Sequence, residues 1–523
     1  MVTGLVRRPG AAGAPPPGQV HVQFGGDASS QAVVSWSAPE AVARPRLLLG
    51  PAGEPAGQPI DAWERAYTDA LTGQTVLAYH ASAGSLEPGT RYSYQVVHDG
   101  CEPVTGTFTT APRGRSAPFR FTSFGDQGVP EPIGLGQGPN SPNAGYVVDA
   151  VNRLDPLFHL VNGDLCYANA SEEPVATWSA WFDSIGRSAR RRPWMPTAGN
   201  HENEPGNGPQ GYLAYQTRFE LPGNGTPAFA GLWYSFTVGP VRFIALNNDD
   251  VCLQDGGFSR IRRDHAPGYR ERGYDPYIRG YSDGAQRRWL ERELAAARAD
   301  DDIDWIVVFM HQVAMSTAHW NGADLGIRQQ WLPLFDAYGV DLVLTGHEHH
   351  YERTYPVRGV VQGSELLTPA PVTGADEGGA AGEHGAAGEH GAIDTRRGTV
   401  HLTVGGGGHP YDGPGRRLHG PGEGVVITGV RPGSPQVSRR SVQVTEPALW
   451  SAHRDPAAPF GLAAFDVDPA EPGGTTSITV TYWGTGNGSP DYRPRDRFVL
   501  RKPRPGTRES GRELAGTGRT MGS

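Results

Sequence analysis

The sequence predicts an N-terminal all-β sandwich followed by an α/β domain, with a small β appendage at the C-terminus. The chain has 523 residues, more than one hydrophobic core usually serves, so two or three domains are expected. Its 73 glycines and 46 prolines imply many turns and argue against a helical protein. Short β-branched and aromatic runs fill the first part of the chain, whereas apolar strands that end at polar clusters fill the second.

The first domain is predicted to span residues 18–113, after a Gly/Ala/Pro-rich start at 1–17 that is expected to be disordered. Its strands are separated by Gly, Pro and Asp, which is typical of an antiparallel sandwich. Trp36 and the segment LEPGTRY at 86–92 resemble a fibronectin type III domain, which implies that Trp36 lies in the core and Tyr92 at a strand corner. The predicted strands are HVQF, AVVSW, RLLL, TVLAYH, RYSYQVV and GTFTT.

The second domain is predicted to span residues 117–432, with β-sheets sandwiched by helices. Strands that are apolar throughout are buried on both faces, and ligands collect where parallel strands end. A helix is predicted at 282–300, with Ser282 or Asp283 as its N-cap. The residues predicted on its buried face are Trp289, Leu290 and Leu294. The predicted strands are FRFTSF, LFHLV, WMPTA, WIVVFM, DLVLT and TVHLTV, the last followed by four glycines and His409.

The remaining segments are predicted to surround this domain. Residues 369–397 form a Gly/Ala-rich insert, in which His384 and His390 are interpreted as part of a solvated loop rather than a metal site. Residues 433–503 contain the strand-like runs SVQVT, GLAAFDV, TSITVTYW and RFVLR and are predicted to form the β appendage. Residues 504–523 are predicted to be a disordered tail.

Charge and composition exclude several classes of protein. The formal net charge of -9 argues against a nucleic acid as a stable partner. No apolar run reaches the 18 residues that a membrane span requires, so no membrane is expected as a partner. The N-terminus lacks the apolar core of a secretory signal. Cys101, Cys166 and Cys252 allow at most one disulfide, for which Cys166 with Cys252 is one pairing. Oligomeric state is left open.

The polar clusters at the predicted strand ends share one property: each offers an oxygen or imidazole donor. A single aspartate or histidine at such a position is more often structural. Their joint occurrence at one edge of a sheet predicts a metal centre, and imidazoles with carboxylates and an amide fit Zn, Fe or Mn. Because there are too many donors for one tetrahedral ion, two ions are expected, with Asp164 as the candidate bridge. The donors are Asp126, Asp164, Tyr167, Asn200, His201, His311, His347 and His349.

The order of these clusters resembles the purple acid phosphatase branch of the metallophosphoesterases, over roughly residues 118–410. The matching blocks are DQG at 126–128, GDLCY at 163–167, GNHE at 199–202, MH at 310–311 and GHEHHYER at 346–353. The sandwich in front of them matches the plant-like members. The resemblance implies that Asp126, Tyr167 and His349 bind Fe(III), that Asp164 bridges the ions, and that Asn200, His311 and His347 complete a divalent site for Zn, Fe or Mn.

A tyrosine in the second block, here Tyr167, distinguishes the purple acid phosphatase branch from most metallophosphoesterases. Most metallophosphoesterases carry D-x-H at the first block, where this chain has Gly128 and offers Tyr167 instead. A phenol with a pKa near 10 costs roughly 7 kcal/mol to ionise at pH 5, and only a strong Lewis acid offsets that cost. The resemblance implies ferric iron, whose charge transfer from tyrosinate gives a purple colour. The alternative is a core tyrosine whose hydroxyl bonds to a backbone group.

The resemblance implies hydrolysis of a small phosphomonoester, in which a metal-bound hydroxide attacks phosphorus. His201, next to a ligand, is expected to protonate the leaving group, and His319 to help hold the phosphate. Many relatives carry two adjacent histidines where this chain has His319 and Trp320. The alternatives are a phosphodiesterase or nuclease with the same metals, and a non-enzymatic binding protein whose working part is the sandwich. Family members are usually exported, but no signal is visible, so localisation is left undecided.

Overall fold

The computed structural model describes residues 14–115, 117–131, 141–254, 279–318, 321–372, 392–409, 420, 422–434, 437–471 and 473–504, without the side chains of 432–440. Its first strands are β1 (Gly18–Phe24), β2 (Ala32–Ala38), β3 (Arg46–Pro51), β4 (Ile60–Asp61), β5 (Trp63–Thr68), β6 (Thr75–Ala83), β7 (Arg91–Val97) and β8 (Val104–Thr109). They form two antiparallel sheets with the orders β1-β2-β6-β5 and β4-β3-β7-β8. The predicted N-terminal sandwich is therefore present.

Alternating side chains build the core of this sandwich. In β7 buried and exposed positions alternate, as expected for a strand with one face on a core. Trp36 is 1% exposed and donates its indole N–H to His98 Nε2 at 2.7 Å. The Tyr92 hydroxyl accepts a hydrogen bond from the Glu87 N–H at 2.9 Å, which fixes the turn before β7. Both expected positions, Trp36 in the core and Tyr92 at a strand corner, are confirmed.

The second domain contains mixed sheets and helices. Its strands are β9 (Phe119–Phe124), β10 (Phe158–Asn162), β11 (Trp194–Thr197), β12 (Tyr234–Val238), β13 (Val241–Ala245), β14 (Trp305–Phe309), β15 (Ala323–Asp324), β16 (Leu342–Thr345), β17 (Tyr351–Thr354), β18 (Val357–Val360), β19 (Pro369–Pro371), β20 (Ala392–Asp394), β21 (Val400–Val404), β22 (Glu423–Ser434), β23 (Val437–Pro447), β24 (Ser451–Arg454), β25 (Phe460–Asp468), β26 (Thr475–Thr485) and β27 (Arg493–Pro503). Its helices are α1 (Asn143–Leu154), α2 (Pro174–Ala189), α3 (Leu213–Arg218), α4 (Ala285–Ala299), α5 (Leu325–Gln330) and α6 (Leu332–Tyr338).

Two seven-stranded sheets organise this domain, with the orders β11-β10-β9-β25-β26-β27-β20 and β12-β13-β14-β16-β21-β17-β24. Strands β9, β10 and β11 are parallel in the first sheet, and β13, β14, β16 and β21 are parallel in the second. Phe121 of one sheet meets Phe243 of the other edge to face, with ring centroids 5.1 Å apart. Every residue of β14 is buried, as its continuous apolar sequence predicts.

The helix predicted at 282–300 is α4, and its predicted apolar face is buried as expected. The predicted N-cap is wrong, because the position before the first helical residue is Gly284, with φ 71°. The backbone turns there into a left-handed conformation that glycine adopts without strain. Ser282 still contributes, since its Oγ accepts a hydrogen bond from the Gln286 N–H at 3.3 Å.

The C-terminal strands are not appended to the second domain; they complete its sheet. β25 pairs antiparallel with β9, and β26 and β27 continue the sheet outward. Phe465 of β25 stacks on Phe121 of β9 with ring centroids 4.4 Å apart. The apolar pattern of 433–503 identifies strands but not their partners, because pairing with β9 depends on contacts that are remote in sequence. β25 to β27 belong to the first seven-stranded sheet and β24 to the second, whereas β23 forms a separate three-stranded sheet with β22 and β15.

The three cysteines are free thiols, so the Cys166–Cys252 pairing is not formed. Within the described ranges, no helix combines the length and apolar character needed to cross a bilayer. Three of the segments assigned from sequence lie largely outside the described residues: the N-terminal start, most of the 369–397 insert and the C-terminal tail.

Candidate metal centre

The predicted ligands follow the carboxyl ends of parallel strands in both large sheets. Asp126 follows β9, Asp164 follows β10, and Asn200 follows β11. In the facing sheet, His311 follows β14 and His347 follows β16. Because both sheets present these ends at one edge of the domain, loops far apart in sequence meet there. All seven predicted ligands are 9% exposed or less.

One group of donors consists of Asp126, Tyr167 and His349. The Tyr167 hydroxyl lies 3.1 Å from Asp126 Oδ1 and 3.2 Å from His349 Nε2. His349 Nε2 lies 3.3 Å from the same Asp126 oxygen, which closes a triangle. Donors that bind one ion at about 2.0–2.2 Å lie roughly 2.8–3.6 Å from one another in octahedral or tetrahedral geometry. The triangle therefore has the dimensions of three ligands on one face of a cation.

A second group consists of Asp164, His311 and His347, whose donor atoms all lie within 4.8 Å of one another. His311 Nε2 is 3.0 Å from Asp164 Oδ2 and 3.2 Å from His347 Nδ1. Among the described residues, Asn200 Oδ1 is buried and has no hydrogen-bond partner. A buried unpaired oxygen costs about 1–3 kcal/mol, and a cation removes that cost. This chemistry of the donor set fits a second metal ion.

Hydrogen bonds orient the two imidazoles of the second group. His311 Nδ1 lies 2.7 Å from the Asn162 carbonyl oxygen, so this nitrogen donates, and Nε2 is the ring nitrogen that faces the site. The Gln254 side-chain amide lies against His347 Nε2, with its nitrogen at 3.1 Å and its oxygen at 3.2 Å, while His347 Nδ1 faces His311. Such outer partners fix the tautomer and ring orientation of metal-binding histidines.

The charges in the site are strongly coupled. Burial, opposed by His311 but assisted by the Asp164 carboxylate, raises the pKa of Asp126 to about 8. Burial alone would lower the pKa of His311, but Asp164 and Asp126 raise it to about 10. Burial opposes ionisation of Asp164 as well, yet His311 and His201 lower the pKa of this carboxyl. Close-packed carboxylates and imidazoles of this kind are stabilised by cations.

The backbone at the ligands is in an uncommon conformation. Asp126, Asp164, Tyr167 and His347 have φ values of 59°, 51°, 60° and 69°. The left-handed region costs a non-glycine residue on the order of 1–3 kcal/mol and is enriched at functional sites. Each strand thus turns sharply at its end, so that the side chain that follows points into the site.

Glycines beside the ligands allow the loops to approach one another. A Cβ on Gly199 would lie 2.3 Å from Asp164 Oδ1, and a Cβ on Gly346 would lie 2.4 Å from Asp126 Oδ2. A Cβ on Gly163, where φ is 77°, would lie 2.6 Å from His311 Nδ1. These contacts are shorter than any carbon tolerates, so the spacing of the two donor groups depends on glycine at these positions.

His201 lies at the rim of the second group. Its backbone N–H donates to Asp164 Oδ1 at 2.9 Å, and its ring Nε2 is 4.0 Å from Asp164 Oδ2. Its ring packs on Tyr167 with centroids 4.4 Å apart, and its side chain is 25% exposed. The predicted proton donor is therefore beside the donor sets and reachable by solvent. His319 lies outside the described residues.

Two residues at the centre were assigned no role from the sequence. Glu202 is fully buried and accepts hydrogen bonds from the N–H groups of Asp164, Leu165 and Gly199, each at 2.8 Å. The sequence feature that could have identified Glu202 is its place as the last residue of the GNHE block. The His409 ring lies 4.3 Å from the Tyr167 ring. The sequence feature that could have identified His409 is its position in the polar cluster after the TVHLTV strand.

Comparison with known proteins agrees with this geometry. Residues 120–351 match the calcineurin-like phosphoesterase family, and residues 17–123 match the purple acid phosphatase N-terminal domain. An uncharacterized protein of Mycobacterium tuberculosis is 50% identical over 507 residues, which cover 95% of this chain and 89% of that protein. The Fe(3+)-Zn(2+) purple acid phosphatase 12 of Arabidopsis thaliana is 24% identical over 352 residues, 66% of each chain.

A solved structure shows the same fold. The purple acid phosphatase PPD1 from yellow lupin seeds superposes with a TM-score of 0.63 at 20% identity, over 93% of this chain and 74% of that one. Its likeness covers both the sandwich and the α/β domain. Family match, relatives and fold lead to one assignment: this chain belongs to the purple acid phosphatase branch of the calcineurin-like phosphoesterases, a family of dinuclear metal-dependent hydrolases.

Proposed function

We propose that the protein hydrolyses small phosphomonoesters at a site that holds Fe(III) and a divalent ion. Asp126, Tyr167 and His349 would hold the ferric ion, and Asp164 would bridge to the second ion. The divalent site of Asn200, His311 and His347 would hold Zn, Fe or Mn. The observation that carries this proposal is the pair of adjacent donor groups, one of which includes a phenol oxygen 3.1 Å from a carboxylate oxygen.

Tyr167 supports ferric iron in the first position. A phenol binds a cation well only as phenolate, and ionising it near pH 5 costs roughly 7 kcal/mol. Hard trivalent iron offsets this cost better than a divalent ion does. The printed name of one relative, an Fe(3+)-Zn(2+) purple acid phosphatase, supports the same pair of metals.

Phosphate-ester hydrolysis is among the slowest uncatalysed reactions in water, so both a nucleophile and positive charge are required. When bound, the two cations supply the activated water and the charge. The chain itself orients them through buried carboxylates and imidazoles, and through the backbone turns after β9, β10 and β16.

His201 is placed to give a proton to the leaving alkoxide. Asn169 donates its amide N–H groups to the carbonyls of Asn200 and Asn203, so its Oδ1 is the atom that faces His201 Nδ1 at 2.6 Å. His201 Nδ1 must therefore carry a proton, and Nε2 is the atom that exchanges a proton on the side of Asp164. A positioned imidazolium of this kind contributes about 100- to 10,000-fold in rate.

We also propose a small phosphate ester rather than a nucleic acid as the substrate. The net charge of -9 repels a long polyanion. A single phosphate group needs only the local positive charge of the ions.

The test compares p-nitrophenyl phosphate with bis(p-nitrophenyl) phosphate on metal-loaded protein. We expect kcat/KM to favour the monoester. A preference for the diester would make the protein a phosphodiesterase, and no hydrolysis of either by protein with both metals bound would contradict an enzymatic role. A second test addresses the proton donor. His201→Ala should retain both metals and lose activity about 100-fold toward an alkyl phosphate, whose leaving group needs a proton.

A further inference from the structure

The N-terminal sandwich contacts the loop that carries the metal-centre residues Asn200 and His201. This loop continues from His201 through residues 202–211 and leads into α3. On the sandwich side, the turn between β5 and β6 contains Asp69, Ala70 and Thr72. The two segments belong to different domains, yet their contact is buried and polar.

Asn207 is the centre of this contact. Its Nδ2 donates one hydrogen bond to Asp69 Oδ2 at 2.9 Å and another to Glu204 Oε2 at 2.8 Å. Its Oδ1 accepts a hydrogen bond from the Ala70 N–H at 2.8 Å. Asp69, Glu204 and Asn207 are each 1% exposed or less. The side-chain amide of Asn207 thus lies between the two buried carboxylates. Both of its N–H groups and its oxygen take part in hydrogen bonds.

Further hydrogen bonds hold both sides of the contact. Asp69 Oδ1 accepts hydrogen bonds from the N–H and the hydroxyl of Thr72, each at 2.8 Å, so the turn holds its own carboxylate. Glu204 Oε1 accepts a hydrogen bond from the indole N–H of Trp178 on α2 at 2.6 Å. Gly206, with φ 83°, allows the close approach, since a Cβ there would lie 2.7 Å from the Ala70 Cβ.

The sandwich also holds the far end of the same segment. The last carbonyls of α3 have no partner within the helix and require one from outside. His80 Nε2 lies 3.0 Å from the Thr217 carbonyl oxygen, and His21 Nε2 lies 3.1 Å from that of Arg218. Arg65 Nη1 donates to the carbonyl oxygens of Gln216 and Phe219 at 3.1 and 3.3 Å.

A short path connects this contact to the proton donor. Glu204 follows Asn203, whose carbonyl oxygen accepts a hydrogen bond from Asn169 Nδ2 at 3.0 Å. Asn169 Oδ1 in turn holds His201 Nδ1 at 2.6 Å. Residue 204 is thus connected through Asn203 and Asn169 both to the imidazole of His201 and to the Asn200 carbonyl, which accepts a hydrogen bond from Asn169 Nδ2 at 3.3 Å.

We propose that the sandwich is a working part of the catalytic domain: Asp69 and Ala70 bind Asn207 and thereby act as positioning residues for Asn200 and His201. The α/β domain holds this loop through Trp178 and Asn169, and the sandwich adds the contacts to Asn207. A displacement of about 1 Å at a catalytic group can cost on the order of 100-fold in rate. The effect on His201 rests on the proposed phosphatase function, whereas the effect on the loop does not.

The first test uses the metal-free protein and does not depend on activity. Asn207→Ala removes the contact, and Asp69→Asn is a milder variant that replaces one acceptor by a donor. Tyr92→Phe is the matched control, because it removes a hydrogen bond within the sandwich away from the loop.

The measurement is hydrogen exchange followed by mass spectrometry. Backbone amides of residues 202–211 should exchange about tenfold faster in Asn207→Ala than in the wild type, and at the wild-type rate in Tyr92→Phe. Asp69→Asn should give a smaller increase than Asn207→Ala. Exchange of 202–211 in Asn207→Ala equal to that in the wild type and in Tyr92→Phe would overturn the proposal.

The second test separates positioning from a general loss of structure. p-Nitrophenolate leaves without a proton, whereas an alkoxide needs one, so misplacing His201 should affect ethyl phosphate more than p-nitrophenyl phosphate. We expect Asn207→Ala to lower kcat for ethyl phosphate by about 10- to 100-fold, with a smaller loss for the aryl ester. Equal losses for both esters would overturn the link to His201. If the wild type hydrolyses neither ester, the proposed function fails, and hydrogen exchange still decides whether the sandwich holds the loop.

Discussion

The carboxylate of Glu202 accepts a hydrogen bond from the backbone N–H of Asp164 at 2.8 Å. The same carboxylate accepts hydrogen bonds from Leu165 and from Gly199, so one side chain ties the loop after β10 to the loop after β11. Asp164 and Asn200 lie on these two loops. The relative positions of Asp164 and Asn200 therefore depend on a residue that is not among the predicted ligands.

Glu202→Gln should destabilise the metal-free protein and weaken metal binding. An amide presents one acceptor oxygen instead of two, so at least one of three buried N–H groups loses its partner, at a cost of about 1–3 kcal/mol. Thermal unfolding and metal content by elemental analysis measure both effects. Glu172→Gln, at an exposed position, is the control. An unchanged melting temperature and full metal content in Glu202→Gln would contradict this role.

Tyr167→Phe should abolish the visible absorption of the iron-loaded protein and leave the fold intact. The substitution removes only the hydroxyl that lies 3.1 Å from Asp126 and 3.2 Å from His349. Without a phenolate ligand there is no charge transfer to ferric iron. Absorbance over the visible range, about 400–700 nm, and circular dichroism are the measurements. A coloured Tyr167→Phe protein would show that another group is the chromophore.

Asn200→Ala and His311→Ala should lose mainly the divalent ion. Asn200 Oδ1 is buried without a hydrogen-bond partner among the described residues, and His311 Nε2 faces the second donor group. The tyrosinate band should persist in both variants while the content of the second metal falls. Elemental analysis after dialysis against a weak chelator measures this. If either variant keeps both metals and full activity, that residue is not a ligand.

Gly199→Ala should disrupt the centre, because its Cβ would lie 2.3 Å from Asp164 Oδ1 and force the carboxylate to move. We expect at least a tenfold loss of metal affinity, since displacing groups near a metal typically costs 10- to 100-fold. Gly186→Ala is the matched control, because nothing lies within 4 Å of a Cβ at that position in α2. That variant should be neutral or more stable by up to about 1 kcal/mol. Equal metal affinity in the two variants would refute the steric argument.

Acid should weaken the contact between the sandwich and α3. Burial, with the positive charges of Arg65 and His21, lowers the pKa of His80 from 6.5 to about 3. The unfolded chain then binds a proton at higher pH than the folded one. Stability from this group is therefore full above pH 6.5 and decreases by about 1.4 kcal/mol per pH unit as the pH falls toward the folded pKa.

His80→Gln isolates this effect, because a glutamine amide can donate to the Thr217 carbonyl without titrating. Urea unfolding of both proteins at pH 7, 6, 5 and 4, chosen as about one-unit steps across the transition, gives the two slopes. The wild type should lose stability more steeply below pH 6.5 than the variant. Parallel slopes would show that His80 is not a source of acid sensitivity.

Strand content and the donor set could be predicted from the chain because both depend on local patterns. An apolar run such as WIVVF predicts a buried strand wherever it lies, and it is β14. An aspartate, asparagine or histidine directly after such a run predicts a donor at a sheet edge. The structure brings Asp126, Asp164, Tyr167, His311, His347 and His349 together at that edge, and Asn200 and His201 lie on the loop that contacts Asp164.

By itself the sequence determined which segments are strands, that a sandwich precedes an α/β domain, and which side chains are candidates to bind two ions. Only the tertiary structure decided that β25 pairs with β9, that Glu202 ties two ligand loops together, and that Asp69 of the sandwich holds Asn207. The physical reason is the distance along the chain over which each kind of interaction acts. Burial pattern and turn chemistry act within a few residues, whereas strand pairing and buried hydrogen bonds join atoms whose separation along the chain carries no local signal.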